Sequence, residues 1–193
     1  MHVFPVETAR LRMRPIVAAD TALYEHLYTD PETMRFIGAP LVPERADKSF
    51  RVALAGMQRQ PIERLFLTVV EKSSQTDVGI CSLQDFDAVN RSVQGGIMFV
   101  ESARAKGYAK EGFGGLIQHV FTHLPVDELW VQFAIDHVAV QRTVLSLGFA
   151  RRGSAGQRND SDGQRNAWSV RRDSWSAPAA FRNVRQARPT NPD

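Results

Sequence analysis

The sequence predicts an α/β fold, a mixed and mostly antiparallel sheet of about seven strands flanked by about four helices. Three observations support this prediction. Residues 8–15 alternate apolar and charged side chains with the period of a strand. Residues 65–70 and 78–86 are apolar runs separated by a polar turn, as in a β-hairpin. Residues 113–124 carry a continuous apolar stripe at helical spacing.

The first half of the chain begins with the strand 8–15. Asp20 then stands at the N-cap of a short helix with leucines one turn apart. Residues 30–40 are predicted as a loop with one helical turn, and residues 43–58 as a second helix that Pro43 opens.

After the hairpin, a third strand of that group covers 93–100, and its glycine pair, 95–96, predicts a bulge or a place where another backbone or a ligand comes close. The 113–124 helix follows, and Gly148 stands where a later helix should stop. A strand is then predicted at 128–135 and a helix at 137–149. The last two predicted strands, at 149–153 and 166–173, bracket a loop at 155–164. The predicted order is βααβββαβαββ.

The chain of 193 residues is long enough for one domain, which we place at 1–175. Residues 176–193 contain three prolines and few apolar side chains, so we expect a flexible tail. No apolar run approaches the length of a membrane span, and the N-terminus lacks the pattern of a secretory signal. The one cysteine, Cys81, excludes a disulfide framework and a cysteine-rich zinc site; we expect a cytoplasmic protein that binds neither membrane nor metal.

The charge is uneven along the chain. Residues 1–150 carry 15 Lys/Arg and 17 Asp/Glu, whereas residues 151–193 carry nine Arg and four Asp. The basic end alone does not favour a nucleic-acid partner, because no aromatic–basic interleaving accompanies it. The slightly acidic body would steer a cationic acceptor such as a polyamine, an aminoglycoside or a basic peptide.

The stretch "RAKGYAKEG" (residues 104–112) lies between a predicted strand and the strongest predicted helix. The first N–H groups of a helix have no intrahelical partner and attract anions. Gly107 allows close approach of a ligand, and small alanines flank it at Ala105 and Ala109. Positive side chains surround the same point at Arg104, Lys106 and Lys110. Taken alone, the stretch could also be a solvated turn, and it matches neither the P-loop nor the G-x-G-x-x-G pattern.

At this point the chain resembles the GCN5-related N-acetyltransferase (GNAT) superfamily, particularly its bacterial ribosomal-protein N-terminal acetyltransferase-like branch. Residues 104–109, "RAKGYA", match the family's [QR]-x-x-G-x-[GA] motif. Glu111 stands where the branch usually has a glutamate, and similarity extends over roughly residues 8–175 in the family's order.

This resemblance implies acetyl-CoA as donor. Its pyrophosphate would contact the amides of Arg104, Ala105, Lys106, Gly107, Tyr108, Ala109 and Lys110. Its pantetheine arm would lie along Met98, Phe99 and Val100, near His137, where the family splays its fourth and fifth strands apart. An amine attacks the thioester directly, and the backbone N–H of Met98 or Phe99 would stabilise the oxyanion. Homodimers occur in the family.

The chain departs from the family at the positions that handle protons. The frequent glutamate base aligns with Gln94, the asparagine and serine of the fourth-helix motif align with His137 and Val140, and the tyrosine acid aligns with Val144. Asp85 and His137 are substitute catalytic candidates, beside simpler roles as a turn residue and a helix-start residue. The other polar candidates, Asp87, Glu101, His119, His123 and Cys81, have structural interpretations. Trp130 and Trp168 are predicted core residues, and Phe36 and Ile37 belong to the acceptor pocket or the core.

Three functions therefore remain open. The first is an acetyl-CoA-dependent N-acetyltransferase acting on a primary amine, either a protein N-terminus or a small cationic amine. The second is an acyl-CoA-binding module that has lost its chemistry, which Gln94, Val140 and Val144 favour. The third is a nucleic-acid binder using the arginine-rich end.

Overall fold

An eight-stranded mixed sheet organises the protein, whose computed structural model describes residues 4–59, 63–152 and 165–177. The strands, in chain order, are β1 (Val6–Glu7), β2 (Leu11–Pro15), β3 (Arg64–Glu71), β4 (Thr76–Asp87), β5 (Ser92–Phe99), β6 (Glu128–Ala134), β7 (Ala150–Arg151) and β8 (Arg165–Arg171). The predicted α/β class and mixed sheet are confirmed. The additional strand is β1, a two-residue strand that pairs with β2.

Within the described residues, five α-helices flank the sheet: α1 (Thr21–Thr29), α2 (Pro31–Met34), α3 (Pro43–Gly56), α4 (Tyr108–His123) and α5 (Val138–Ser146). About four helices were predicted. The additional one is α2, the single helical turn that was expected within the loop at residues 30–40. Pro43 opens α3 as predicted, and α5 ends just before Gly148, which adopts φ +81°.

The strand order is β1-β2-β3-β4-β5-β6-β8-β7, and every neighbouring pair is antiparallel except β5 and β6. This parallel ladder is short, since it joins only Ser92 to Glu128, Val93 to Leu129 and Gln94 to Trp130. Beyond Gln94, β5 stays paired with β4 as far as Phe99 while β6 pairs only with β8. The two strands therefore diverge from Gly95 onward, as predicted.

The two faces of the sheet pack against different helices. Alternate residues of β5, including Val93 and Phe99, join the main core with α4, whose Leu116 and Ile117 are fully buried. The other face carries a smaller cluster that joins α1 and α3 to the sheet, with Met98 against it. We call these the α4 face and the α1/α3 face.

The predicted bulge at Gly95 and Gly96 is wrong, because both residues stay in register with β4. Close approach explains Gly95 instead: a Cβ there would lie 3.1 Å from both Phe113 of α4 and Leu129 of β6. The irregularity falls in β4, between Gln84 and Asp87.

Asp20 occupies the N-cap position of α1 but makes no side-chain cap, contrary to the prediction. Its buried carboxylate accepts hydrogen bonds from Arg14, from the backbone N–H of Val17 and from the Thr68 hydroxyl. Burial opposes ionisation of this carboxyl, but these donors outweigh it and lower the pKa of Asp20. Asp20 thus fastens the turn before α1 to β2 and β3.

Two predictions, the loop at 155–164 and the tail at 176–193, lie almost wholly outside the described residues. Among the helices that the structure describes, none is both long and apolar enough to cross a membrane.

Candidate functional site: a loop of backbone amides beside a divided sheet

The loop between β5 and α4 curves tightly around its own backbone. Ala105 and Gly107 both adopt left-handed conformations, with φ of +60° and +78°, and α4 begins directly afterwards at Tyr108. Left-handed residues alternating with ordinary ones turn successive N–H groups toward one side. The first N–H groups of α4 add to this set, because they have no intrahelical acceptor. The N–H of Arg104 donates to the Glu101 carbonyl at 3.0 Å, so the row of donors that could face an anion consists of the amides of residues 105–110.

The charged side chains of this loop spread outward and leave its concave side to the backbone. Arg104 donates to the Thr33 hydroxyl at 2.6 Å and lies 3.4 Å from the Asp30 carboxylate. Lys106 lies 3.6 Å from Glu71, and Lys110 is exposed in the first turn of α4. Ala105 and Gly107 are exposed as well, and neither covers the amides with a bulky side chain of its own.

Glu111 and Arg10 attach the loop to the turn between β1 and β2 through hydrogen bonds. The Glu111 carboxylate accepts hydrogen bonds from the Arg10 backbone at 2.7 Å, the Arg10 guanidinium at 2.6 Å and the Thr8 hydroxyl at 2.8 Å. Arg10 also donates to the carbonyl of Lys106 at 3.0 Å and covers the Tyr108 ring. Burial opposes the charge of Glu111, but these hydrogen bonds outweigh it and lower the pKa of Glu111. Arg10 was not singled out from the sequence, where it resembles the other arginines of its strand.

The edge of β5 that faces the divergence offers free backbone donors. Val100 donates to the carbonyl of Val78 at 3.0 Å. Hydrogen-bonded and non-hydrogen-bonded pairs alternate along an antiparallel ladder, so Met98, two residues before Val100, also bonds to β4. The N–H groups of Phe99 and Ile97 therefore point the other way, toward the gap between β5 and β6. Of the two backbone groups named above for an oxyanion, the register therefore favours Phe99 over Met98.

A row of side chains crosses the α1/α3 face where β5 and β6 separate. The register places Arg64, Gln84, Gln94 and Trp130 side by side on β3, β4, β5 and β6. The prediction that Trp130 is a core residue is wrong. Its side chain is half-buried, and the Arg152 guanidinium lies 4.7 Å from its ring centre. No residue of this row is a carboxylate or a histidine.

A family comparison identifies this architecture. The model of the acetyltransferase (GNAT) domain matches residues 10–150, which is well over half of the chain. The chain belongs to the GNAT acetyltransferase family.

Solved structures with the same fold include several acetyltransferases at low sequence identity. A GNAT-family acetyltransferase from Bacillus anthracis is 14% identical with a TM-score of 0.73, covering 88% of this chain and 99% of that one. Spermidine N-acetyltransferase from Vibrio cholerae, solved with CoA and spermine, is 13% identical with a TM-score of 0.73, covering 86% and 98%. RimL, a ribosomal L7/L12 alpha-N-protein acetyltransferase solved with coenzyme A, is 15% identical with a TM-score of 0.71, covering 88% and 98%. No curated protein matched by sequence.

In this GNAT acetyltransferase a groove of about 640 Å³ opens on the α1/α3 face beside the row. Its walls come from α1, α3, β3 and β4 and from the segment after α2. The lining residues are Tyr24, Tyr28, Ile37, Leu41, Arg45, Lys48, Ser49, Val52, Ala53, Arg64, Phe66 and Gln84. The two tyrosine rings stack at 4.1 Å, and the Tyr24 hydroxyl bonds to Ser49 at 2.9 Å.

Phe36 and Ile37 connect the groove to the far side of the divergence. Ile37 lines the groove, and its carbonyl accepts a hydrogen bond from Arg165 at the start of β8. The Phe36 ring stacks on His137, with 4.1 Å between ring centres. Burial lowers the pKa of His137, although Asp136 opposes the shift, so the imidazole is neutral near pH 7. His137 thus precedes α5 as predicted, as a half-buried residue rather than a solvated one.

The remaining polar candidates lie apart from the row or serve structure. Asp85 is exposed in the irregular part of β4 with φ +50°, and Asp87 accepts hydrogen bonds from Val89 and Asn90, as a turn residue does. Glu101 is exposed, and Val144 is buried in the main core. His119 and His123 contact each other on α4.

Cys81 and Trp168 are buried as predicted. Burial raises the pKa of the Cys81 thiol, so it stays protonated. Among the described residues, no three His, Cys, Asp or Glu side chains are grouped so that they could hold a metal ion.

Proposed function

We propose that this enzyme takes the acetyl group from acetyl-CoA and transfers it to a primary amine, a protein N-terminus or a small cationic amine, in the cytoplasm. The observation that carries the proposal is the row of amides at 105–110, which follows the end of β5 where β5 and β6 have separated. The donor site thereby continues into the gap that leads to the row of Gln84 and Gln94.

The loop would hold the pyrophosphate of the donor through the amides of residues 105–110, with the side chains of Arg104, Lys106 and Lys110 adding positive potential. Backbone N–H groups of Ile97 and Phe99 would pair with the pantetheine arm, much as a neighbouring strand would. This arrangement is supported by the divergence of β6, which leaves that edge of β5 without a strand partner beyond Gln94. His137 would lie beyond the end of the arm, where it braces Phe36.

The chemistry we propose is direct attack of the amine nitrogen on the thioester carbonyl carbon. The N–C bond forms, the C–S bond breaks, and CoA leaves as a thiolate that takes up a proton. The N–H of Phe99 stabilises the oxyanion formed in between. Because the row offers no carboxylate, water takes the proton of the attacking amine, and positioning supplies the main rate enhancement.

The test is release of free CoA from acetyl-CoA by the full chain, with binding of acetyl-CoA measured in parallel. Acceptors would be N-terminal peptides, polyamines, aminoglycosides and amino acids. Turnover with any acceptor supports an acetyltransferase. Binding of acetyl-CoA without turnover for any acceptor would favour the non-catalytic module, and absence of acetyl-CoA binding would overturn the donor site.

A further inference from the structure

The groove on the α1/α3 face carries an unbalanced positive charge. Of the twelve lining residues within the described part of the chain, three, Arg45, Lys48 and Arg64, are cations, and none is an aspartate or a glutamate. None of these three cations forms an ion pair with a residue that the structure describes. A cationic acceptor would meet repulsion in this groove, whereas an anionic group would find partners.

Two of the three cations, Arg45 and Lys48, are exposed residues of α3 that line one wall of the groove. Arg45, Lys48 and Val52 are spaced at i, i+3 and i+7, so they lie on one side of α3. Arg51, on another side, is exposed and pairs with Asp47 at 2.8 Å. On this helix Arg51 therefore has an acidic partner, whereas Arg45 and Lys48, which line the groove, have none among the described residues.

The third cation connects the groove to the reaction row. Arg64 is half-buried, stands opposite Gln84 in the β3–β4 ladder, and Gln84 stands opposite Gln94. Neighbouring strands are about 4.8 Å apart, so the backbones of Arg64 and Gln94 are separated by about 10 Å. An arginine side chain spans much of that distance. If the amine of an acceptor lies where β5 and β6 diverge, the Arg64 guanidinium is therefore within reach of an anionic group that is a few bonds from that amine.

The lining between the charges is largely apolar and aromatic. Tyr24, Tyr28 and Phe66 provide ring surfaces, and burial raises the pKa of the Tyr28 phenol, so this side chain stays neutral. Such walls favour an aromatic or aliphatic side chain by removing its apolar surface from water.

We propose that the acceptor is a primary amine that also carries a carboxylate, of the class of apolar or aromatic amino acids and short peptides, rather than a polyamine. The carboxylate binds Arg64 with Arg45 and Lys48 nearby, the side chain lies on the tyrosine rings, and the amine faces the row of Gln84 and Gln94. This inference rests on the proposed function and narrows its acceptor.

The experiment compares ligands that differ only in that charge. N-acetyl-L-phenylalanine and N-acetyl-L-phenylalaninamide, analogues of the acetylated product, are titrated into the full chain in the presence of CoA, and binding is followed by calorimetry. Acetyl transfer to L-phenylalanine, L-phenylalaninamide and spermidine is measured in parallel. The same measurements are made on the triple variant Arg45→Gln/Lys48→Gln/Arg64→Gln and on the control Arg51→Gln, with thermal unfolding to confirm that both fold.

We expect the carboxylate to bind at least about tenfold more tightly than the carboxamide, as charge-assisted hydrogen bonds would give. The triple variant should lose this preference, and Arg51→Gln should keep it. Equal binding of the two analogues, binding of neither, or a preference that survives in the triple variant would overturn the inference. Turnover with spermidine alone would also overturn it while leaving the proposed function intact, and failure of acetyl-CoA itself to bind would count against the proposed function.

Discussion

Gln94 marks the point where β5 and β6 separate, and an amide cannot take a proton from an ammonium group at neutral pH. Its neighbours in the row, Gln84 and Trp130, cannot do so either. In the mechanism proposed above, the attacking amine loses its proton to water before it reacts. The rate should consequently follow the fraction of acceptor present as free amine, and it should rise with pH up to the pKa of that amine.

His137 provides the test of this point, because it is the titratable side chain stacked at the rim of the gap. We regard it as a positioning residue that holds Phe36, the chain neighbour of the groove residue Ile37. His137→Gln should raise the KM of the acceptor by about two- to tenfold, the value of one ring contact, and leave the shape of the pH–rate profile unchanged. Loss of an acid limb together with a fall in kcat of about a hundredfold would identify His137 as a general base instead.

Single residues were the hardest feature to predict from sequence. The N-cap position of Asp20 was correct, yet its side chain is recruited by Arg14 and Thr68, and the latter is 48 positions away. Trp130 alternates with apolar residues like a core tryptophan, but the divergence of the sheet leaves its face partly open. Long-range partners and the local shape of the sheet decided both outcomes, and neither is visible in a local pattern.

At the scale of elements, the start of α4 is set by a contact from the other end of the sequence. Glu111, one turn into α4, is held by Arg10 and Thr8, which form the turn between β1 and β2. Arg10 then reaches the carbonyl of Lys106 in the amide loop. The conformation of the loop therefore depends on the pairing of β1 with β2.

Glu111→Gln should lower the free energy of unfolding at pH 7 by about 1–3 kcal/mol, since a buried charge-assisted network loses its acceptor. Because the folded protein lowers the pKa of Glu111 below its ordinary value of 4.5, its stabilisation is full above that value. The stabilisation is lost as the pH falls through the lower pKa of the folded state.

Urea unfolding at pH 7 and at successively lower pH would measure this effect. The difference between wild type and Glu111→Gln should shrink below about pH 4. The exposed Glu101, in the turn before the loop, provides the control, and Glu101→Gln should change stability little at either pH. A difference that stays constant with pH would show that the charge of Glu111 is not what stabilises the start of α4.

Periodicity predicted the long elements well and the groove hardly at all. The strands that pair over several residues and the helices α3, α4 and α5 follow directly from apolar spacing, whereas β1 is too short to produce a pattern. The amide loop was predicted because glycine and helix onset occur within a few residues. The cations of α3 went unnoticed because the side of a helix that borders a groove depends on how it packs against Tyr24 and Phe66.

At the scale of the whole molecule, the divided sheet brings two sites to one gap. The amide loop lies at the carboxyl end of β5, the groove lies beside its amino end, and the free edge of β5 runs between them. The stretch from Gln94 to Val100 covers about 20 Å of extended backbone. Donor and acceptor would thus approach the same strand from opposite ends.

The central claim is that the backbone amides of residues 105–110 bind acetyl-CoA, and a pair of glycines tests it most directly. Gly107 and Gly148 adopt nearly the same left-handed conformation, φ +78° and +81°, and each is exposed, but only Gly107 belongs to the amide loop. Valine at either position introduces similar backbone strain, but only at Gly107 does the added side chain lie in the amide loop, where its Cβ would be 3.5 Å from the Arg10 guanidinium that holds the loop.

Calorimetric titration of acetyl-CoA into wild type, Gly107→Val and Gly148→Val is therefore the decisive measurement, with thermal unfolding recorded for each. We expect wild type and Gly148→Val to bind with similar affinity and Gly107→Val to lose detectable binding while remaining folded. Unchanged affinity in a folded Gly107→Val would contradict the assignment of the loop as the acetyl-CoA site.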